Sequence, residues 1–101
     1  MSVNKEQVFD ALKRVYDPEI PVDVVNLGLV YEVLVEGDRI AVKMTTTASG
    51  CPVGNFIVAQ AKRAIGRLEG VKEVEVALVY DPPWHEDMIS EEGRRMLGWR
   101  T

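Results

Sequence analysis

The sequence predicts a two-layer α+β domain of order α-β-β-α-β-α, with a small mixed sheet (an antiparallel hairpin plus a crossover strand) and helices on one face. Three observations predict it. Two strand-like apolar runs flank Gly37-Asp38, the signal of a tight hairpin. A helical apolar stripe follows, carried by Val53, Ile57, Ala61, Ala64, Ile65 and Leu68. A further alternating run, Val74, Val76, Leu78 and Tyr80, comes next. A strand–helix–strand unit of that length implies a crossover to a parallel strand.

The 101 residues fit a single domain spanning residues 1–101, long enough for one core. Hydrophobic residues make up 47% and charged residues 28%, which places the chain among ordinary globular proteins. One cysteine excludes an intrachain disulfide framework. No apolar run approaches the ~18 residues of a membrane span, and the polar start, Ser2 to Glu6, is no signal peptide. The expected location is therefore cytoplasmic, with no membrane association. A net charge of −4 argues against binding nucleic-acid backbone.

In chain order, Asn4 and Gln7 have capping-box spacing, and Val3 and Val8 the spacing of a hydrophobic staple. Val8, Leu12 and Val15, flanked by Phe9 and Tyr16, form the apolar stripe of a first helix that Pro18 ends by Tyr16 or Asp17. The next loop, residues 17–28, contains two prolines, and loops of that length are often functional. Asp17 is expected to form a turn there, whereas Glu19 serves either a turn or a site. The hairpin strands are Leu29–Glu36 and Arg39–Thr46. The second buries Ile40, Val42 and Met44 and turns Arg39, Ala41, Lys43 and Thr45 to a wet or lightly covered face. Gln60 falls close to the apolar stripe of the long helix, with no local reason for a polar residue. Glu69-Gly70 ends that helix, and the third strand runs from Val71 to Tyr80. Asp81-Pro82-Pro83-Trp84-His85 is a rigid aromatic turn. Ser90 caps a last helix, Glu91 to Leu97, which Gly98 stops.

The stretch Met44 to Val53 carries the chemistry. A strand runs out at the threonines, Gly50 permits a tight turn, and Pro52 suits the first position of the long helix. Cys51 is thus expected at a helix N-terminus, where orphan N–H groups and the macrodipole favour a thiolate. The alternative is a buried cysteine acting as a small hydrophobe, the commoner case for an isolated stretch of this kind. Thr47 and Ser49 supply hydroxyls that cap the helix or help its N–H groups hold an anion.

Phosphate loops, dinucleotide fingerprints, zinc-protease motifs and Cys-x-x-Cys pairs are absent. Cys51 and His85 follow the ends of the two strands joined by the crossover, an arrangement open to a nucleophile–base pair. A lone His beside Trp84 in a proline-rich turn is more often simply surface. One Cys and one His with Asp17 or Glu19 make a weak metal set, and one thiolate does not hold an iron–sulfur cluster alone.

Three segments carry a family resemblance that covers essentially the whole chain. Asp17-Pro18-Glu19-Ile20-Pro21-Val22 running into Asn26-Leu27-Gly28-Leu29-Val30-Tyr31 resembles the opening signature of the SufT/PaaD family, which includes the small domain of the eukaryotic cytosolic iron–sulfur targeting factor. Met44-Thr45 through Gly50-Cys51-Pro52 is similar to its cysteine motif, and Asp81-Pro82-Pro83-Trp84 with Asp87-Met88 and Ser90-Glu91-Glu92 to its closing segment. The resemblance implies the small fold shared with the C-terminal scaffold domain of NifU-type proteins. It also implies a non-enzymatic role in iron–sulfur cluster biogenesis. Cys51 then becomes the leading functional residue, as a transient cluster or metal contact, with Asp17, Glu19, Thr47, Ser49 and Gly50 supporting it and Trp84 and His85 nearby. The sequence departs from the family at Asn26, where an acidic residue is expected, at Ser49, where proline is frequent, and at His85, where a hydroxyl residue is usual.

The implied cargo is a transient iron–sulfur cluster or iron, none tightly bound by one chain. The implied partners are the iron–sulfur assembly machinery and client apoproteins. One thiol per chain is a poor ligand set, and this with Trp99 favours a homodimer. Rival readings are a PaaD-like accessory protein for a phenylacetyl-CoA-type oxygenase, a metal-free adaptor, and a cysteine enzyme using His85. A KH-like nucleic-acid module lacks the required Gly-x-x-Gly loop.

Overall fold

The computed structural model describes residues 3–17, 20–47 and 54–98. Its elements are α1 (Lys5–Leu12), β1 (Val30–Glu36), β2 (Arg39–Met44), α2 (Gly54–Gly66), β3 (Glu73–Leu78), a 3₁₀ turn (Glu86–Met88) and α3 (Glu91–Met96). The order is the one the sequence predicts.

α1 starts where its cap dictates. The Gln7 N–H donates to Asn4 Oδ1 at 2.8 Å, and the Asn4 N–H donates to Gln7 Oε1 at 3.0 Å. Val3 and Val8, on either side of the cap, are both buried. The helix ends at Leu12, before Pro18 could stop it. A turn at Lys13-Arg14 then drops Val15 into the core, where its carbonyl accepts from the Val24 N–H at 2.9 Å.

The sheet order is β1-β2-β3, with β1 antiparallel and β3 parallel to β2. Val33, Ile40, Val42, Met44 and Val76 line the inner face and form one core with Val8 and Leu12 of α1 and Ile57, Ala61 and Ile65 of α2. α2 lies against β3, and α1 leans on α2 and β1. The outer face stays open. Glu32, Leu34, Lys43, Glu73 and Glu75 are exposed there, and Arg39 pairs with Glu73 at 2.9 Å. Such an exposed pair contributes at most about 1 kcal/mol.

Two residues depart from the strand alternation, both just beyond strand ends. Thr45, expected on the wet or lightly covered face, is completely buried. β2 stops at Met44, and the Thr45 N–H donates instead to the Leu29 carbonyl at 2.8 Å. Tyr80, expected inward, is 38% exposed because β3 stops at Leu78 and the alternation lapses.

Candidate functional site

The parallel pair places two strand ends at one edge of the sheet. β2 and β3 stay in register from Arg39 and Glu73 to Met44 and Leu78. β1 enters at that edge, with Val30 opposite Met44. α2 begins there as well. A Cβ on Gly54 would stand 3.2 Å from Leu78 Cδ1 and 3.4 Å from Thr46 Cγ2, so the missing side chain lets the helix start abut the strand ends. The N-terminal end of α2, the positive end of its macrodipole, accordingly faces the region of the strand ends. Thr46 Oγ1 donates to Tyr80 Oη at 3.4 Å, and Phe56, in the first turn of α2, is 51% exposed.

The loops at this edge are held by contacts between residues far apart in sequence. A register shift between Val30 and Glu32 makes Tyr31 the extra residue of a β-bulge. Bulges re-aim a side chain. Here the Tyr31 hydroxyl donates to the Pro82 carbonyl at 2.8 Å and lies 3.7 Å from Met88 Sδ. The Trp84 indole N–H donates to the Leu27 carbonyl at 2.7 Å. Ser90 Oγ donates to Asn26 Oδ1 at 2.6 Å, Asn26 Nδ2 donates to Asp23 Oδ1 at 2.7 Å, and Ser90 Oγ accepts from the Gly93 N–H at 3.0 Å. Gly28, at φ +78, passes so close to Met88 that a Cβ would collide with its carbonyl oxygen. The 20–29 loop and the 82–93 segment are therefore one packed unit beside the strand ends.

The predicted site residues divide as follows. Cys51, Glu19, Ser49 and Gly50, with Trp99, lie outside the described residues. Asp17 is buried and its carboxylate accepts from the Ile20 N–H at 3.3 Å, the turn-forming contact expected of it. Thr47 is half-buried, just past the end of β2. Trp84 joins the two loops. His85 is exposed; its Nδ1 accepts from the Asp87 N–H at 3.2 Å and lies 3.3 Å from Asp87 Oδ2, which makes it the cap of the 3₁₀ turn. Sequence reasoning missed Tyr31, Asn26 and Ser90 as the residues that lock the edge. Only Ser90 had a local signal, its cap position ahead of α3.

Among the described residues, no three His, Cys, Asp or Glu side chains come together as a metal site. Among these residues, no helix is long and apolar enough to cross a membrane.

Residues 5–77 match the family model described as iron–sulfur cluster assembly protein. The chain is 44% identical over 95 residues to the Fe-S protein maturation auxiliary factor YitW of Bacillus subtilis, covering 93% of each. It is 42% identical to the Fe-S protein maturation auxiliary factor SufT of Staphylococcus aureus, over 83% of this chain and 97% of that one. An Escherichia coli protein named as one component of a 1,2-phenylacetyl-CoA epoxidase is 32% identical, over 90% of this chain and 55% of that one. The crystal structure of a DUF59 domain from Bacillus anthracis superposes with a TM-score of 0.87 at 38% identity, over 95% of this chain and 92% of that one. The chain belongs to the iron–sulfur cluster assembly protein family.

Proposed function

We propose that this protein is a maturation factor for iron–sulfur proteins, contacting a cluster or iron in transit through the Cys51 thiolate. The observation that carries the reading is the 44% identity, across 93% of both chains, to a protein named as such a factor. Chain connectivity supports a location for it. Cys51 is joined through two residues to Gly54, where α2 meets the ends of β2 and β3. At ~3.6 Å per residue it cannot lie farther than about 11 Å from that point. The thiolate is the form that contacts iron. A single-thiolate contact leaves iron valences for other ligands, so the cluster is cargo, completed by a second copy of this chain or by a partner.

In this reading the whole chain, residues 1–101, is one cytoplasmic domain that works with assembly machinery and client apoproteins and catalyses no small-molecule turnover. Asp17 and Thr47 shape the edge around Cys51, with Glu19, Ser49 and Gly50 on the adjoining chain. The general role is preferred to an oxygenase-specific one because the match to the epoxidase component is weaker and partial.

The test is anaerobic reconstitution of wild type and Cys51→Ser with iron and sulfide, read by iron content, visible absorption and molecular mass. The expected result is a chromophore that depends on Cys51, at less than one cluster per chain and accompanied by dimerisation. Absence of bound iron in both proteins would replace this reading with a metal-free adaptor.

A further inference from the structure

We infer that the groove between α1 and α2 is a docking site for an acidic, amphipathic segment of a partner protein. The inference goes beyond cluster handling and does not involve Cys51. The groove is open, about 560 Å³ in volume, and lies beyond the first turns of α2, towards its C-terminal end. Its rim carries Arg14, Arg63 and Arg67, with Asp10 as the one carboxylate. This basic rim belongs to a chain whose net charge is −4.

The ordinary explanation for exposed arginines is a solvated helix face. Two observations count against it. Arg63, in the last turn of α2, and Arg67, in the turn just after it, set two like charges close together on the rim. Asp10, the one carboxylate of the lining, forms an ion pair with neither. Among the described residues, the ion pairs between fixed charges are Arg39–Glu73 and Arg95–Glu91, and none of the three rim arginines takes part. The second observation is Gln60. It is half-buried and lines the groove, which accounts for a polar residue next to the apolar stripe of α2.

The floor sets the partner's chemistry. Ala11 and Ala64 keep the middle of the groove shallow in side chain, and half-buried Leu68, over the buried Val15, makes its end apolar. An apolar floor under a guanidinium rim fits a segment with aliphatic anchors at helical spacing, flanked by Asp or Glu. Arginine is suited to this role because its planar fork holds a carboxylate through two hydrogen bonds.

The experiment selects binders from a random dodecapeptide phage library on the wild-type protein. It then measures the affinity of the selected peptides by fluorescence anisotropy. The expected result is enrichment of Asp and Glu together with Leu, Ile or Met. Affinity should fall about tenfold or more in Arg63→Glu/Arg67→Glu, weaken with added salt, and be unchanged in Cys51→Ser. Circular dichroism of the charge-reversed variant, and a parallel Arg63→Gln/Arg67→Gln variant, separate lost binding from lost folding. Three outcomes would overturn the inference: no acidic enrichment, affinity indifferent to the charge reversal, or displacement of peptide by inorganic tripolyphosphate at equal affinity, which marks a small-anion site. Self-association in sedimentation that disappears on charge reversal would overturn it too, by making a second copy the occupant. Reconstitution with iron is read on a different residue, so failure here leaves the cluster-handling result untouched.

Discussion

Ser90 Oγ donates to Asn26 Oδ1 at 2.6 Å across 64 positions of sequence, and the Ser90 N–H donates to the Asn26 carbonyl at 2.8 Å. The Asn26 amide nitrogen in turn donates to the buried carboxylate of Asp23, and Ser90 Oγ caps α3 by accepting from Gly93. One neutral side chain therefore links a buried charge to a helix start. This explains why an amide can stand where the family resemblance leads one to expect an acid.

Asn26→Asp removes the amide donor and sets a second carboxylate against Asp23. It is expected to cost about 2 kcal/mol, the scale for leaving one oxygen of a buried carboxylate without its hydrogen bond, while the backbone N–H of residue 26 still donates to the other at 3.1 Å. Ser90→Ala removes the cap and is expected to cost about 1 kcal/mol. Urea titration of the two single variants and the double variant checks both. Because the groups share one bond, the double variant should lose less than the sum.

Gly28→Ala should be severe. Alanine resists φ +78 by about 1–2 kcal/mol, and its Cβ would collide with the Met88 carbonyl oxygen. A total loss of about 3 kcal/mol is expected, seen as a lower urea midpoint with an unchanged slope.

Gly66→Ala should have the opposite sign. Gly66 ends α2 without a positive φ, and a Cβ there meets nothing within 4 Å. The added methyl restricts the unfolded chain, for an expected gain of about 0.5–1 kcal/mol in thermal or urea unfolding.

Thr45→Val tests the buried edge itself. Thr45 is wholly buried, and its hydroxyl has no hydrogen-bond partner among the described residues. An apolar group of the same shape removes that desolvation cost, so stability should rise by about 1 kcal/mol. A fall in the urea midpoint would mean that the hydroxyl has a partner in the native protein.

The parts of the fold legible in the sequence were those fixed within a few residues. The Asn4–Gln7 box, the Gly37-Asp38 hairpin, the alternation of Ile40, Val42 and Met44, and the stripe of α2 each depend on local spacing. Alternation misled only where strands stop, at Thr45 and Tyr80, because its period holds only while the ladder continues. Of the candidate site, the sequence pointed to Cys51 as an expectation and supplied the three segments that carry the family resemblance. It could not supply Tyr31 as a bulge residue, since a bulge is a mismatch between two strands and belongs to neither alone.

What the sequence by itself determined was the order of elements, their faces within the strand ladders and helices, and the family. Tertiary structure alone decided that the loop after α1 and the closing segment pack as one unit beside the strand ends. It did so through Trp84–Leu27, Ser90–Asn26 and the close passage of Gly28 by Met88. It also decided that Arg14, from just after α1, meets Arg63 and Arg67 across a groove. The physical reason is the same in both cases. Local spacing fixes which way a side chain faces, but only packing of distant elements decides what it faces.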